Sequence, residues 1–276
     1  MTPDLLQVRT WGTRGSLPVS GPQFSEFGGS TTCIELRCGS EVLLFDAGSG
    51  ILPAGRALKA EGVGATHLFF THCHHDHIIG FPYFGPLFDP ACTVDIWSGH
   101  LAGQMTTHDM LYRFMGPPFF PVAPDVCAAR VRCHDFAAGD VLAPAPGITL
   151  RTGRLTHPGG AVGYRVDWKG RAVAIITDTE HQPGEMDADV LALIEGVDLF
   201  IYDACYTEAE MTMFRGFGHS SWTQAVLLAR TAGARRVAMA HHAPWRTDAD
   251  LLAMEAQAQA AFPTAFFARD GQVTLL

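Results

Sequence analysis

The run His72-Cys73-His74-His75-Asp76-His77 constrains this chain more than any other feature of it. Imidazole and carboxylate are ligands that suit Zn²⁺ and similar divalent ions. The H-x-H-x-D-H spacing crowds four of them together, too closely for all to reach one tetrahedral ion without strain. Two neighbouring ions, each served by two residues, is the easier geometry. The run directly follows His67-Leu68-Phe69-Phe70, a short apolar strand, so a rigid element positions it. A dinuclear site needs further ligands, and the candidates sit at the ends of other apolar strands: His157, Asp178, and the pair His241 and His242. A lone strand-end His or Asp is ordinarily a turn residue. Beside the cluster, these residues can converge on one edge of the sheets.

Composition narrows the class. With 47% hydrophobic and 17% charged residues in 276, the chain has a buried core and is not disordered. No linker, repeat or low-complexity segment divides it, so residues 1–276 read as one domain. The net charge of −9 is opposite in sign to that of proteins that grip nucleic-acid backbone. No apolar run reaches the ~18 residues of a membrane span, so no membrane is expected. Met1-Thr2-Pro3-Asp4 has neither a basic start nor an apolar stretch, which argues against a secretory signal. Seven scattered cysteines with no CxxC pair point to free thiols and a cytoplasmic setting.

Alternation and turn chemistry predict strands at Leu5–Trp11, Cys33–Cys38, Glu41–Phe45, Val94–Trp97, Val131–Phe136, Ile148–Leu155, Ala161–Trp168 and Ala172–Thr177. Gly39-Ser40 marks a hairpin between the second and third of these. Helices are predicted around Pro53–Lys59 and Leu101–Phe114. The last third alternates helices Asp187–Ile194, Glu208–Phe214, Ser221–Ala232 and Ala249–Ala261 with strands Leu199–Tyr202, Val237–Ala240 and Ala265–Ala268. Sheets with helices on their outer faces follow, an α/β (α+β) class.

From about Trp11 to Pro244 the chain resembles hydrolases of the metallo-β-lactamase superfamily, through His72–His77 followed in order by His157, Asp178 and His241, and through Asp46 in Phe45-Asp46-Ala47-Gly48. Within that superfamily it resembles the phosphodiesterase branch, which includes tRNase Z, the phosphoribosyl cyclic phosphodiesterases and the cyclic-nucleotide phosphodiesterases. Trp11-Gly12-Thr13-Arg14-Gly15-Ser16, Gly28-Gly29-Ser30-Thr31-Thr32-Cys33, Thr177-Asp178-Thr179 and Gly218-His219-Ser220 carry that likeness. The resemblance implies an αββα sandwich of two mixed sheets, with the metals at one edge. His72, His74 and His157 would hold one ion, Asp76, His77 and His241 the other, and Asp178 would bridge them. His241 is preferred because it comes straight off its strand; His242 is the alternative. The ions would be Zn²⁺, with Mn²⁺ as the other choice, sharing a hydroxide as nucleophile. The catalytic set would be His219 as acid at the leaving oxygen, Asp203 orienting it, and Asp76. A helix cap is the competing role for the Gly218–Ser221 stretch.

Other residues stay open. Asp46 either fixes a ligand His or a loop N–H, or caps the Gly48-Ser49-Gly50 turn. Glu180 and His181, just after Asp178, either support the ligands from behind or are turn residues, the second being preferred, and Cys73 reads as a non-ligand. Arg14, Arg113 and Arg246 are candidate phosphate partners or solvated loop arginines. Met110–Pro121, with Tyr112, Phe114, Phe119 and Phe120, can line a substrate pocket, form a homodimer contact or pack in the core. Relatives of the tRNase Z kind carry a long arm between the counterparts of His157 and Asp178, where this chain has only 20 residues. The expected substrate is therefore a small phosphodiester, a cyclic nucleotide or cyclic phosphate, and tRNA is not expected as a partner. A lactonase or other C–O/C–N hydrolase, and a non-enzymatic ligand-binding effector, are the alternatives.

Overall fold

The computed structural model describes residues 5–118 and 120–276; the readings made on Met1–Asp4 and Phe119 lie outside them. Fourteen strands form two seven-stranded sheets. The first contains β1 (Leu6–Gly12), β2 (Cys33–Cys38), β3 (Glu41–Phe45), β4 (Ala65–Phe70), β5 (Thr93–Ser98), β6 (Arg130–Asp135) and β14 (Val273–Leu275), in the order β14-β1-β2-β3-β4-β5-β6. The second contains β7 (Val141–Leu142), β8 (Ile148–Leu155), β9 (Ala161–Trp168), β10 (Arg171–Ile176), β11 (Leu199–Asp203), β12 (Val237–Ala240) and β13 (Ala265–Phe267), in the order β13-β12-β11-β10-β9-β8-β7. Each sheet is antiparallel where hairpins join neighbours, as in β2–β3 and β8–β9–β10. Each is parallel where longer connections return the chain, as in β3–β4–β5–β6 and β10–β11–β12–β13.

The sheets face each other across one core and carry helices on their outer faces. On β3, Leu43 and Phe45 enter the inter-sheet core while Val42 and Leu44 enter a second core outside it. On β10, Val173 and Ile175 point inward while Ala172, Ala174 and Ile176 point outward. Strands buried on both faces read as continuous apolar runs, which is why these two were legible. Outside the first sheet pack α1 (Ile51–Ala60) and α3 (Thr107–Phe114), through Ile51, Ala54, Leu58, Met110 and Leu111. Outside the second pack α4 (Ala188–Ile194), α6 (Trp222–Ala232) and α7 (Asp248–Ala261). This is the αββα sandwich that the family resemblance implied. Two short helices, α2 (His75–Ile78) and α5 (Glu208–Met211), lie in the connections.

Some expected boundaries move. The helix expected from Leu101 starts at Thr107, because Thr106 Oγ1 accepts the Asp109 amide at 3.1 Å and caps it there. The helix expected at Glu208–Phe214 stops at Met211. The short strands β7 and β14 had not been anticipated. No helix among the described residues is long and apolar enough to cross a membrane.

Candidate metal centre

Strand ends build the site. His72 follows β4, His157 follows β8, Asp178 follows β10, Asp203 ends β11 and His241 follows β12. Asp46, Asp178 and His241 all leave their strands with left-handed backbones, at φ 62°, 32° and 58°. Such conformations cost roughly 1–2 kcal/mol per residue and persist where surrounding structure dictates them, commonly at functional sites. Here they turn three side chains out of the strand direction and toward Asp76 and His77.

Two groups of ligand atoms result, each with its atoms within 4.8 Å of one another: His72, His74 and His157, and Asp76, His77, Asp178 and His241. Asp178 faces both. Its Oδ2 lies 3.6 Å from His72 Nε2, 3.3 Å from His77 Nε2 and 3.8 Å from His157 Nε2. Its Oδ1 lies 2.7 Å from His241 Nδ1. Asp76 Oδ2 is 3.2 Å from His77 Nε2 and 3.5 Å from His241 Nε2, and accepts the Ser16 amide at 2.8 Å. His157 Nε2 stands 3.0 Å from His74 Nδ1. His157, Asp178 and His219 form a third such group, so His219 is also within reach of an ion.

Surrounding hydrogen bonds fix the tautomers. Asp46 accepts His77 Nδ1–H at 2.8 Å, the Thr71 amide at 2.7 Å and the Thr71 hydroxyl at 2.8 Å. The Thr71 hydroxyl in turn lies 3.1 Å from His72 Nδ1, and Gly218 O accepts His157 Nδ1–H at 2.8 Å. In each case the ring's Nε2 is left to face the centre, the arrangement that supports metal-bound imidazoles. The Nε2 atoms of His72, His77 and His241 are buried with no hydrogen-bond partner. Buried polar atoms are normally paired, so so many orphans converging on one point fit a bound cation. Burial pushes His72, His74 and His157 below the usual imidazole range. Burial opposes ionisation of Asp76 and Asp178, but neighbouring His77 and His241 hold both well below the usual carboxylate range. Neutral imidazoles and ionised carboxylates are the forms that bind metal. The His/Asp cluster is thus compatible with a dinuclear metal site.

Beside it, His219 Nδ1–H donates to Asp203 Oδ2 at 2.9 Å. Burial acts against the charged ring, yet Asp203 and then Asp178 and Asp76 push it up to about 9. Asp203 is itself fixed by the amides of Cys205 at 3.0 Å and Thr179 at 3.4 Å. The helix cap nearby falls to Ser221, whose Oγ accepts the Gln224 amide, so His219 is not needed for it.

Other candidates go elsewhere. His242 is buried between Phe27 and Phe267 with Nε2–H donating to Ala268 O at 2.8 Å, away from the cluster. Arg14 is fully buried and donates to Gly28 O at 2.8 Å and Arg246 O at 2.7 Å, so it braces loops. Arg246 pairs with Glu210, and Arg113 lies in the last turn of α3. Met110, Leu111 and Met115 are core residues, and Leu111 and Tyr112 also line a cavity of about 300 Å³ that includes none of the cluster residues. Glu180, read as a turn residue, accepts the Gly216 amide at 2.8 Å and the Gly218 amide at 2.8 Å, pinning the loop that orients His157. A cleft of about 960 Å³ opens at His157, lined also by His100, Gln104 and Arg154.

Residues 42–242 match the family model of the beta-lactamase superfamily domain. The chain is 28% identical over 260 residues to Ribonuclease Z of Mycobacterium avium (strain 104), covering 87% of each. Among solved structures it is similar to the metallo-beta-lactamase fold protein YhfI from Bacillus subtilis, with a TM-score of 0.74, 19% identity and coverage of 99% of this chain and 100% of that one. It is also similar to human tRNase Z, short form, with a TM-score of 0.66, 21% identity and coverage of 97% and 98%. These likenesses correct one expectation. A Ribonuclease Z aligned along most of both chains overturns the exclusion of tRNA as a partner. Net charge averages the whole surface and does not report the sign of the field at a site built to hold cations.

Proposed function

Since the chain belongs to the beta-lactamase superfamily and is a hydrolase of it, we propose that it is a dinuclear metal-dependent phosphodiesterase. The observation that carries this reading is Asp178 facing two ligand groups with the hydrogen-bonded His219–Asp203 pair beside them. His72, His74 and His157 would hold one ion and Asp76, His77 and His241 the other, with Asp178 between them. The imidazole and carboxylate set suits Zn²⁺, with Mn²⁺ as the alternative. Bound there, the ions supply Lewis acidity and a water ionised near neutral pH. The chain's own part is to orient and to move a proton. Asp46, Thr71 and Gly218 O hold the ligand rings in their tautomers. With Nδ1 committed to Asp203, His219 presents Nε2 to the leaving oxygen, and the Asp203 carboxylate favours its protonated form.

For the substrate, a cyclic nucleotide or cyclic phosphate is one reading, supported by the cleft of about 960 Å³ that opens at His157. A tRNA precursor is the second reading, favoured by the Ribonuclease Z relatives. All seven cysteines are free, which supports a reducing, cytoplasmic setting.

The test is metal-loaded protein against bis(p-nitrophenyl) phosphate, a cyclic nucleotide, a 3′-extended tRNA precursor and a lactone. Turnover of the lactone alone would overturn the reading. His219→Ala should keep its metal and lose roughly 10²–10⁴ in rate on the alkoxide-leaving substrates, with a smaller loss on the nitrophenyl diester. Equal losses on both would remove His219 from the acid's role.

A further inference from the structure

The connections from β11 to α6 and from β12 to α7 together present aromatic surface that the core does not use. Met213 is 76% exposed, Phe217 61% and Trp245 51%. The rings are ordered relative to one another. Tyr206 stacks on Phe214 with centroids 4.7 Å apart and planes at 13°. Trp245 lies over the same pair, 6.5 Å from Tyr206 at 18° and 5.9 Å from Phe214 at 31°. Phe217 meets Phe214 edge-on at 5.8 Å. Tyr206 in turn meets the His219 ring at 5.7 Å, so one ring separates the group from the proposed acid.

The backbone under these rings is held in place. Glu180 ties down the amides of Gly216 and Gly218 on both sides of Phe217. Glu210 closes a capping box with Thr207 and pairs with Arg246, the neighbour of Trp245. Large apolar rings exposed on a fixed backbone, one ring away from His219, are poised for a flat partner. We propose that Trp245, backed by Tyr206 and Phe214 and with Phe217 set edge-on beside Phe214, forms a stacking platform for a nucleobase of the substrate. This rests on the phosphodiesterase reading and makes the substrate a nucleotide. A base has a π face to offer the Trp245 ring; a sugar phosphate or alkyl phosphate has none.

The test compares binding of AMP and ribose 5-phosphate to the metal-loaded protein by calorimetry, with tryptophan fluorescence as a second readout. AMP should bind about tenfold tighter, and Trp245→Ala should erase that preference while leaving ribose 5-phosphate unchanged. Phe217→Ala should weaken it in part, and both variants change exposed side chains. Equal affinities in the wild type, failure of both ligands to bind, a preference that survives both substitutions, or a solution dimer that buries Trp245 would each overturn the platform. Hydrolysis of bis(p-nitrophenyl) phosphate is measured on the same preparations. Hydrolysis with no AMP preference sinks the platform alone; an AMP preference without hydrolysis of any phosphodiester sinks the enzymatic reading alone. A trinucleotide RNA separates the sources of the base: binding no tighter than AMP marks a mononucleotide, and tighter binding that still depends on Trp245 marks an RNA end.

Discussion

A methyl group added to Gly15 would overlap the imidazole of His241. The same loop sends the Ser16 amide to Asp76 and the Gly15 amide to His242 O at 3.0 Å. One tight turn thus positions two proposed ligands of the same ion, and only the absence of a side chain lets it approach. Gly218 does the corresponding work on the other side, since a Cβ there would overlap the His157 ring. Gly15→Ala should therefore spare the fold, whose cores lie elsewhere, and push His241 aside. Elemental analysis of the purified variant should give about half the wild-type metal, with an unchanged far-UV circular dichroism spectrum. Full retention of metal would show that the loop yields and the ring does not.

Elements of this molecule are secured unevenly, and β6 is the exposed case. It is an edge strand with no fully buried residue, joined to β5 along one side. Asp95 on β5 accepts from Arg132 Nε at 2.8 Å and from His134 Nε2 at 2.7 Å, and His134 stacks on Trp97 at 4.0 Å. Burial works against the Asp95 carboxylate, but the hydrogen bonds from Arg132 and His134 hold it below the ordinary 3.8. A carboxyl group lowered on folding stabilises fully above its unfolded value and loses that contribution as pH falls through the folded one. Asp95→Asn should therefore lower the denaturation midpoint by a constant amount above pH 5, with the gap closing below about pH 4. A gap that ignores pH would mean the pairing contributes through packing alone. The pairing also shows what sequence reading can reach. His72–His77 was legible because its ligands are neighbours in the chain, and Asp178 and His241 because each ends a continuous apolar run. Glu180 was not, because its partners Gly216 and Gly218 are 36 and 38 residues away and nothing local marks them. Arg14 looked like a phosphate ligand until the fold buried it among carbonyl oxygens. The start of α3 was written in Thr106 and Asp109, a cap signal that the apolar residues before it obscured.

At the scale of the molecule, the two sheets contribute different halves of the centre. The first brings Asp46 and the His72–His77 run; the second brings His157, Asp178, Asp203 and His241. The sheets already share an apolar core, but at this edge they meet through polar atoms left without partners. Bound ions would join them there, so metal and stability should be linked, because a ligand that binds only the folded state stabilises it. Gently purified protein should approach two equivalents of metal per chain. Chelation should lower the thermal midpoint by about 5–10 °C, the shift expected of a few kcal/mol in a chain of this size, and readdition should restore it. Asp178→Ala removes the carboxylate that faces both ligand groups and should lose metal and the associated stability together. Glu180→Gln, in the same connection, should keep its metal, because Glu180 holds backbone amides and faces no ligand atom. Equal metal loss in the two variants would take the bridging place away from Asp178, and a stoichiometry that stays at one after supplementation would end the dinuclear reading.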